Sequence, residues 1–268
     1  MAWWGKLAGG AFGFMFGGPL GALLGAVFGH QFDKGVKMIG GREDMTERTQ
    51  AAFFTATFAV MGHIAKADGR VSEAEISQAR SIMGQMRLSE AQREIAIKLF
   101  NAGKADDFDL EATLDQFKAE CHRRTNLIRF FLEIQIMTAM ADGILHDEER
   151  NTLLNIATRL GIPRGYFEQL LHLAQGFDPS AGHAGAGARS PKALLNDAYE
   201  LLDITPTAND AEIKRAYRRL MNQHHPDKLV SRGMPEEMIE IANRKSQEIR
   251  KAYDIIRDHR KSRSSATG

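Results

Sequence analysis

The run Gln223-His224-His225-Pro226-Asp227-Lys228 carries the densest chemistry in this sequence. Proline fixes its own φ and restrains the imidazole before it and the carboxylate after it. Held in that way, Asp227 can offer a carboxylate to an arginine, and His225 a ring donor or acceptor to backbone, at low entropic cost. A metal site made from His224, His225 and Asp227 would lack a further ligand nearby in the sequence. Just upstream, Lys214, Arg215, Arg218 and Arg219 recur at helical spacing. Four cations on one helix face steer association with an acidic surface and make it salt-dependent. Alone they would equally describe a solvated face or a nucleic-acid surface, but a formal net charge of +1 supplies no global field toward nucleic acid.

A second set of candidate groups is acidic. The segment Ala67-Asp68-Gly69-Arg70-Val71-Ser72-Glu73-Ala74-Glu75 is echoed 74 residues later by Ala141-Asp142-Gly143-Ile144-Leu145-His146-Asp147-Glu148-Glu149. Asp68, Glu75, Asp142 and Glu149 could in principle gather round a cation, yet neither copy has the D-x-D-x-D-G spacing of a calcium loop. The pattern has a mechanical account that needs no ligand. Asp bonds its own turn, Gly takes a positive φ, Val71 or Leu145 plugs the hairpin, and an acid occupies the first turn of the next helix. No metal is therefore expected. The single cysteine, Cys121, excludes an internal disulfide framework and any multi-thiolate metal centre. Phosphate-binding glycine loops, activated nucleophiles and H-E-x-x-H are all missing, so neither an enzyme nor a cofactor is expected.

The third feature is apolar. Leu7 to Gly29 carries no charge, enough at about 1.5 Å per residue to cross a hydrocarbon core of about 30 Å. Trp3 and Trp4 sit at its edge, and Lys34, Lys37 and Arg42 make its C-terminal flank the more basic one. That asymmetry predicts residues 1–6 outside, a transmembrane helix over 7–31 and everything after Asp33 in the cytoplasm. Gly9, Gly13, Gly17, Gly21, Gly25 and Gly29 recur every fourth residue, a stripe expected to pair two copies of the helix as a homodimer. Pro19 is expected to kink it.

These groups must be positioned by helices, for the chain reads as all-α. With 43% apolar and 26% charged residues the composition is that of ordinary globular domains. Apolar residues at helical spacing predict helices over Thr46 to Lys66, Glu73 to Met86, Glu90 to Asn101, Leu110 to His122, Asn126 to Met140, Asp147 to Leu160 and Pro163 to Ala174. Ser89 with Gln92, and Ser72 with Glu75, form capping boxes. His63 and His122 fall on these helices as core-edge or surface residues. The small-residue stretch over 176–190 reads as a tether. Beyond it come a short helix opened by Pro191 and a basic amphipathic helix capped by Asn209 and Glu212. A third helix from Pro235 to Asp258 carries a seam of Ile239, Ala242, Ser246, Ile249, Tyr253 and Ile256. The last two are expected to close as an antiparallel hairpin with the tripeptide in the loop between them.

Two resemblances follow. The repeated A-D-G-x-[VL]-x-x-x-E after a long apolar helix resembles the TerB-like helical domain, here over 46–175, which implies an interaction module with an unknown protein partner. The blocks "AYELLDI" at 198–204, "IKRAYRRL" at 213–220, "HHPDK" at 224–228 and "IRKAYDII" at 249–256 resemble a J-domain, here over 191–268. That resemblance implies a DnaK-type chaperone as partner. His225, Pro226 and Asp227 would be the tripeptide that stimulates its ATP hydrolysis, and Lys214, Arg215, Arg218 and Arg219 the docking face. Ser246 departs from the family, which often has an aromatic there. The whole layout is similar to that of membrane-anchored DnaJ-like co-chaperones of the bacterial inner membrane, implying a role in envelope and capsule signalling. The competing expectation is a membrane scaffold or metal-responsive sensor acting through the TerB-like part.

Overall fold

The computed structural model describes residues 18–28, 42–67, 73–86, 88–122, 124–140, 145–176 and 191–266, and among these it is helical throughout, with no strand. The helices are α1 (Pro19–Phe28), α2 (Arg42–Ile64), α3 (Glu73–Gln85), α4 (Glu90–Gly103), α5 (Leu110–Glu120), α6 (Thr125–Ala139), α7 (Asp147–Leu160) and α8 (Arg164–Gly176). After the tether come α9 (Pro191–Leu201), α10 (Asp210–His224), the single turn α11 (Pro226–Val230), a 3-10 turn (Glu236–Met238) and α12 (Ile239–Ala266).

Helix α2 is the axis of the middle domain. A helix apolar on every side has to be wrapped by others, and from Ala51 to Gly62 every residue of α2 is buried. Phe53 lies edge-on to Phe117 of α5, ring centroids 5.9 Å apart, and Phe117 packs on Phe131 of α6 at 4.5 Å. Two glycines set the closest crossing. A Cβ on Gly62 would collide with the carbonyl of Phe100 in α4, and one on Gly103 with the carbonyl of Ala59 in α2. The two backbones therefore touch where only glycine fits.

Local signals agree with the expected ends. Ser89 caps α4 reciprocally, its side chain accepting from the Gln92 amide at 3.3 Å while Gln92 Oε1 accepts from the Ser89 amide at 2.7 Å. Gly161 ends α7 at φ +78°, with the Ile162 amide donating to Ala157 O at 2.8 Å.

Gly18 has φ +100° and α1 starts at Pro19, where proline's fixed φ and missing amide cost nothing, while residues 7–17 and 29–31 of the expected span lie outside the described residues. Leu20 of α1 is fully buried in the middle-domain core, and its amide donates to Gln116 Oε1 at 2.9 Å. Among the described residues no helix is long and apolar enough to cross a membrane. Of the glycine stripe, Gly21 is buried and Gly25 lies in α1, while Gly9, Gly13, Gly17 and Gly29 lie outside the described residues. The third helix of the C-terminal part runs to Ala266 rather than Asp258.

The seam expected along α12 divides instead of facing one partner. Ile249, Ala252 and Ile256 pack with Ala198, Tyr199, Leu202 and Ile213 in a small core of their own. Ala242, together with Leu229, Met234, Met238 and Ile241, joins the core of the middle domain instead, and Ile239 packs against it. The first turn of α12 faces away from the hairpin because Gly233, at φ +98°, turns the chain sharply after α11. Met234 then donates its amide to Leu229 O at 2.9 Å and points inward.

Candidate chaperone-docking site

Helix α10 begins at Asn209, whose side chain accepts from the Glu212 amide at 3.0 Å while Glu212 Oε2 accepts from the Asn209 amide at 2.8 Å. Its apolar side is buried through Ile213 and Ala216, and Tyr217 stacks on Tyr253 of α12 at 4.4 Å. That burial leaves Lys214, Arg215, Arg218 and Arg219 exposed on the opposite side, as the period required. Arg219 is not wholly free for a partner, since its Nη2 donates to Asp203 Oδ2 at 3.0 Å. Asp203 sits at φ +56° in the turn after α9.

The helix stops because Pro226 cannot continue it and pushes His225 into an extended conformation, φ −62° and ψ 124°. His225 then caps the next turn, with Pro226 in the first position of α11. The Asp227 amide donates to His225 Nδ1 at 3.2 Å. Accepting through Nδ1 puts the ring proton of a neutral imidazole on Nε2. The His225 side chain is 44% exposed and that of Asp227 91%, its nearest Oδ 3.9 Å from the ring. The carboxylate is thus held at the start of a short turn and turned to solvent, available to a guanidinium.

His224 goes the other way. Its side chain is only 5% exposed, in the seam with the middle domain, where Nδ1 lies 3.5 Å from Glu133 Oε2 of α6. Burial pushes its pKa below the ordinary value, against the opposing pull of the Glu133 carboxylate. The structure therefore separates His224 from His225 and Asp227, and a metal centre made of the three has no geometry. Ser246, the departure from the J-domain pattern, donates its hydroxyl to the His224 carbonyl at 2.9 Å.

In the repeated acidic turns, Asp68 and Asp142 lie outside the described residues, as does the side chain of Glu75. Glu149 is 4% exposed in the first turn of α7, and its carboxylate accepts from the His146 amide at 3.0 Å, a capping contact. No group of three or more His, Cys, Asp or Glu that could hold a metal occurs among the described residues. His63 is half-buried beside Phe108, and burial lowers its pKa, while His122 is exposed in a turn at φ +46°. Burial pushes the Cys121 thiol up, away from a reactive thiolate.

Sequence reasoning misses the seam altogether. It places His224 with its neighbours in the loop and does not single out Glu133, Arg124 or Leu229. The apolar pair Leu229-Val230, one residue beyond the tripeptide, with Met234 and Met238 following, is the available signal. Four large apolar residues in a loop need a surface to cover them.

Comparison with known proteins agrees with this organisation. The family model for the tellurite resistance protein TerB matches residues 54–172, that for the DnaJ domain residues 197–264, and that for the transmembrane domain of the co-chaperone DjlA residues 1–43. The co-chaperone protein DjlA of Photobacterium profundum is 46% identical over 95% of this chain and 98% of its own length. That of Coxiella burnetii is 43% identical over 96% and 98%, and that of Escherichia coli (strain K12) 44% over 97% and 99%. No solved structure matches. With a C-terminal J-domain for a DnaK-type chaperone, a TerB-like middle domain and an N-terminal match to a transmembrane domain, the chain belongs to the DjlA co-chaperone family.

Proposed function

We propose that this protein recruits a DnaK-type chaperone to the bacterial inner membrane and stimulates its ATP hydrolysis through His225, Pro226 and Asp227. It has no active site of its own and acts by changing a partner's rate. The observation that carries the reading is the exposed Asp227 carboxylate, held beside a tethered His225 ring at the end of an exposed basic helix. Lys214, Arg215, Arg218 and Arg219 steer an acidic face of the chaperone toward that carboxylate. ATP is cytosolic, so the J-domain faces the cytoplasm with the N-terminus in the periplasm, the orientation favoured by the basic flank of residues 34–42. Of the glycine stripe, Gly9, Gly13 and Gly17 remain to pair two copies in the bilayer, Gly21 being buried. Recruitment at the membrane suits a role in envelope and capsule signalling, with the TerB-like domain meeting a further protein partner.

The test is flotation of full-length protein in liposomes with a DnaK-type chaperone and ATP. Chaperone should float with the wild type and hydrolyse ATP faster there, and the acceleration should be lost with His225→Gln. Acceleration that survives this substitution overturns the role given to the tripeptide. External protease on intact spheroplasts should leave residues after Asp33 uncut, and digestion of the J-domain there would reverse the orientation.

A further inference from the structure

The tripeptide is exposed, yet both of its flanks are buried in another domain. His224 before it is 4% exposed and Leu229 just beyond it is 0% exposed, and both face the middle domain. Upstream, the His224 ring abuts Glu133, which also accepts from the Tyr166 hydroxyl at 3.1 Å, and the Tyr166 ring carries the Arg129 guanidinium at 4.6 Å. Ser246 of α12 fixes the carbonyl of the same histidine. Downstream, the Leu229 amide donates to His225 O at 3.1 Å, tying the loop to a side chain sunk in the middle-domain core. Arg124 of the middle domain then donates from Nη1 to Arg232 O at 2.6 Å and to Thr49 Oγ1 at 3.1 Å. Gly233 lies so close to Thr49 and Arg124 that a Cβ would clash with both.

We propose that the TerB-like domain is the positioning platform of the tripeptide, with Glu133 and Arg124 as positioning residues that hold its two flanks while His225 and Asp227 face the chaperone. A loop restrained at both ends presents its carboxylate without first losing conformational freedom, and that saving appears in the rate-determining complex. Neither Glu133 nor Arg124 lies on the basic face of α10, so they govern how well the tripeptide acts rather than how tightly the chaperone docks. The inference rests on the stimulating role proposed above.

The experiment is single-turnover ATP hydrolysis by a DnaK-type chaperone titrated with full-length protein in nanodiscs. Loss of the Glu133 contact on one flank and the Arg124 hydrogen bond on the other, in Glu133→Ala with Arg124→Ala, should lower the plateau rate by about fivefold, the population change equivalent to one net hydrogen bond. The half-saturating concentration should stay within about twofold because the docking face is untouched. Partial unfolding would do the reverse, raising half-saturation through a smaller active fraction while leaving the plateau. Glu133→Gln alone keeps an acceptor for the Tyr166 hydroxyl and should retain the wild-type plateau. Asp227→Asn separates the two claims. If it stimulates like wild type, the role of the tripeptide fails. If it is inactive while the double variant keeps or exceeds the wild-type plateau, the platform alone is refuted.

Discussion

Leu229→Ala probes whether the J-domain and the TerB-like domain are one cooperative unit. The side chain has no exposed surface and belongs to the core of the middle domain although its residue lies in the J-domain. Truncating a leucine so placed removes its transfer free energy and leaves a cavity, a cost of about 3 kcal/mol. How that loss shows in a thermal scan depends on the size of the unit that unfolds. A unit built of both domains falls by roughly 2–4 °C per kcal/mol, giving a drop of roughly 6–12 °C in a single transition. An independent J-domain would fall by roughly 4–8 °C per kcal/mol, giving roughly 12–24 °C in a small separate transition and leaving the larger one in place. Calorimetry of the full chain in detergent micelles, paired with amide exchange, reads the difference. Peptides from α6 and from α10 should lose protection together. Loss confined to α10 would refute the shared core.

Gly103→Ala would ordinarily favour a helix by about 1 kcal/mol, but here the added Cβ meets the Ala59 carbonyl. A net destabilisation of about 2 kcal/mol in urea unfolding is expected from the forced separation of α2 and α4, and a stabilised variant would contradict the crossing. Burial holds the pKa of His224 below its ordinary value, so the seated state binds fewer protons than the unseated one. Its contribution is therefore complete above about pH 6.5 and lost as the pH falls through and below that value. Glu133 on α6 opposes this shift, Arg129 and Lys245 reinforce it, and burial raises the pKa of half-buried Glu248 beside Lys245. The prediction is accordingly a difference: acidification from about pH 7 to about pH 5.5 should unseat the wild type more than His224→Asn, by amide exchange at residues 224–230. Equal responses would remove His224 from the seam's energetics. Arg215→Glu with Arg218→Glu should slow chaperone association and flatten its dependence on salt in stopped-flow measurements. An unchanged salt slope would make that face a solvated surface.

What is legible in the sequence is local. Capping residues such as Ser89 and Asn209 announce helix starts through side chains a few positions away, and Gly161 announces a stop. The tripeptide and the basic face can be placed on a loop and a helix because a helical period and a proline constrain the chain where they stand. What is not legible depends on surfaces distant in sequence. Seam positions Ala242 and Ile249 look alike as apolar steps on α12, yet they enter different cores because Gly233 and the 3-10 turn re-aim the first turn of the helix. Two adjacent histidines part company for a similar reason, His224 meeting Glu133 of α6 while His225 caps the turn beyond it. Gly62 and Gly103 carry no signal at all, since a glycine in a helix shows its purpose only when the partner backbone is in view.

Stimulation of the chaperone falls most directly to Asp227, whose side chain is 91% exposed at the head of α11. Single-turnover ATP hydrolysis by a DnaK-type chaperone, with and without saturating full-length protein in nanodiscs, tests it. Wild type should accelerate hydrolysis and Asp227→Asn should leave the basal rate, although the variant retains the amide contact to His225 and the fold. Equal acceleration by the two proteins would contradict the account.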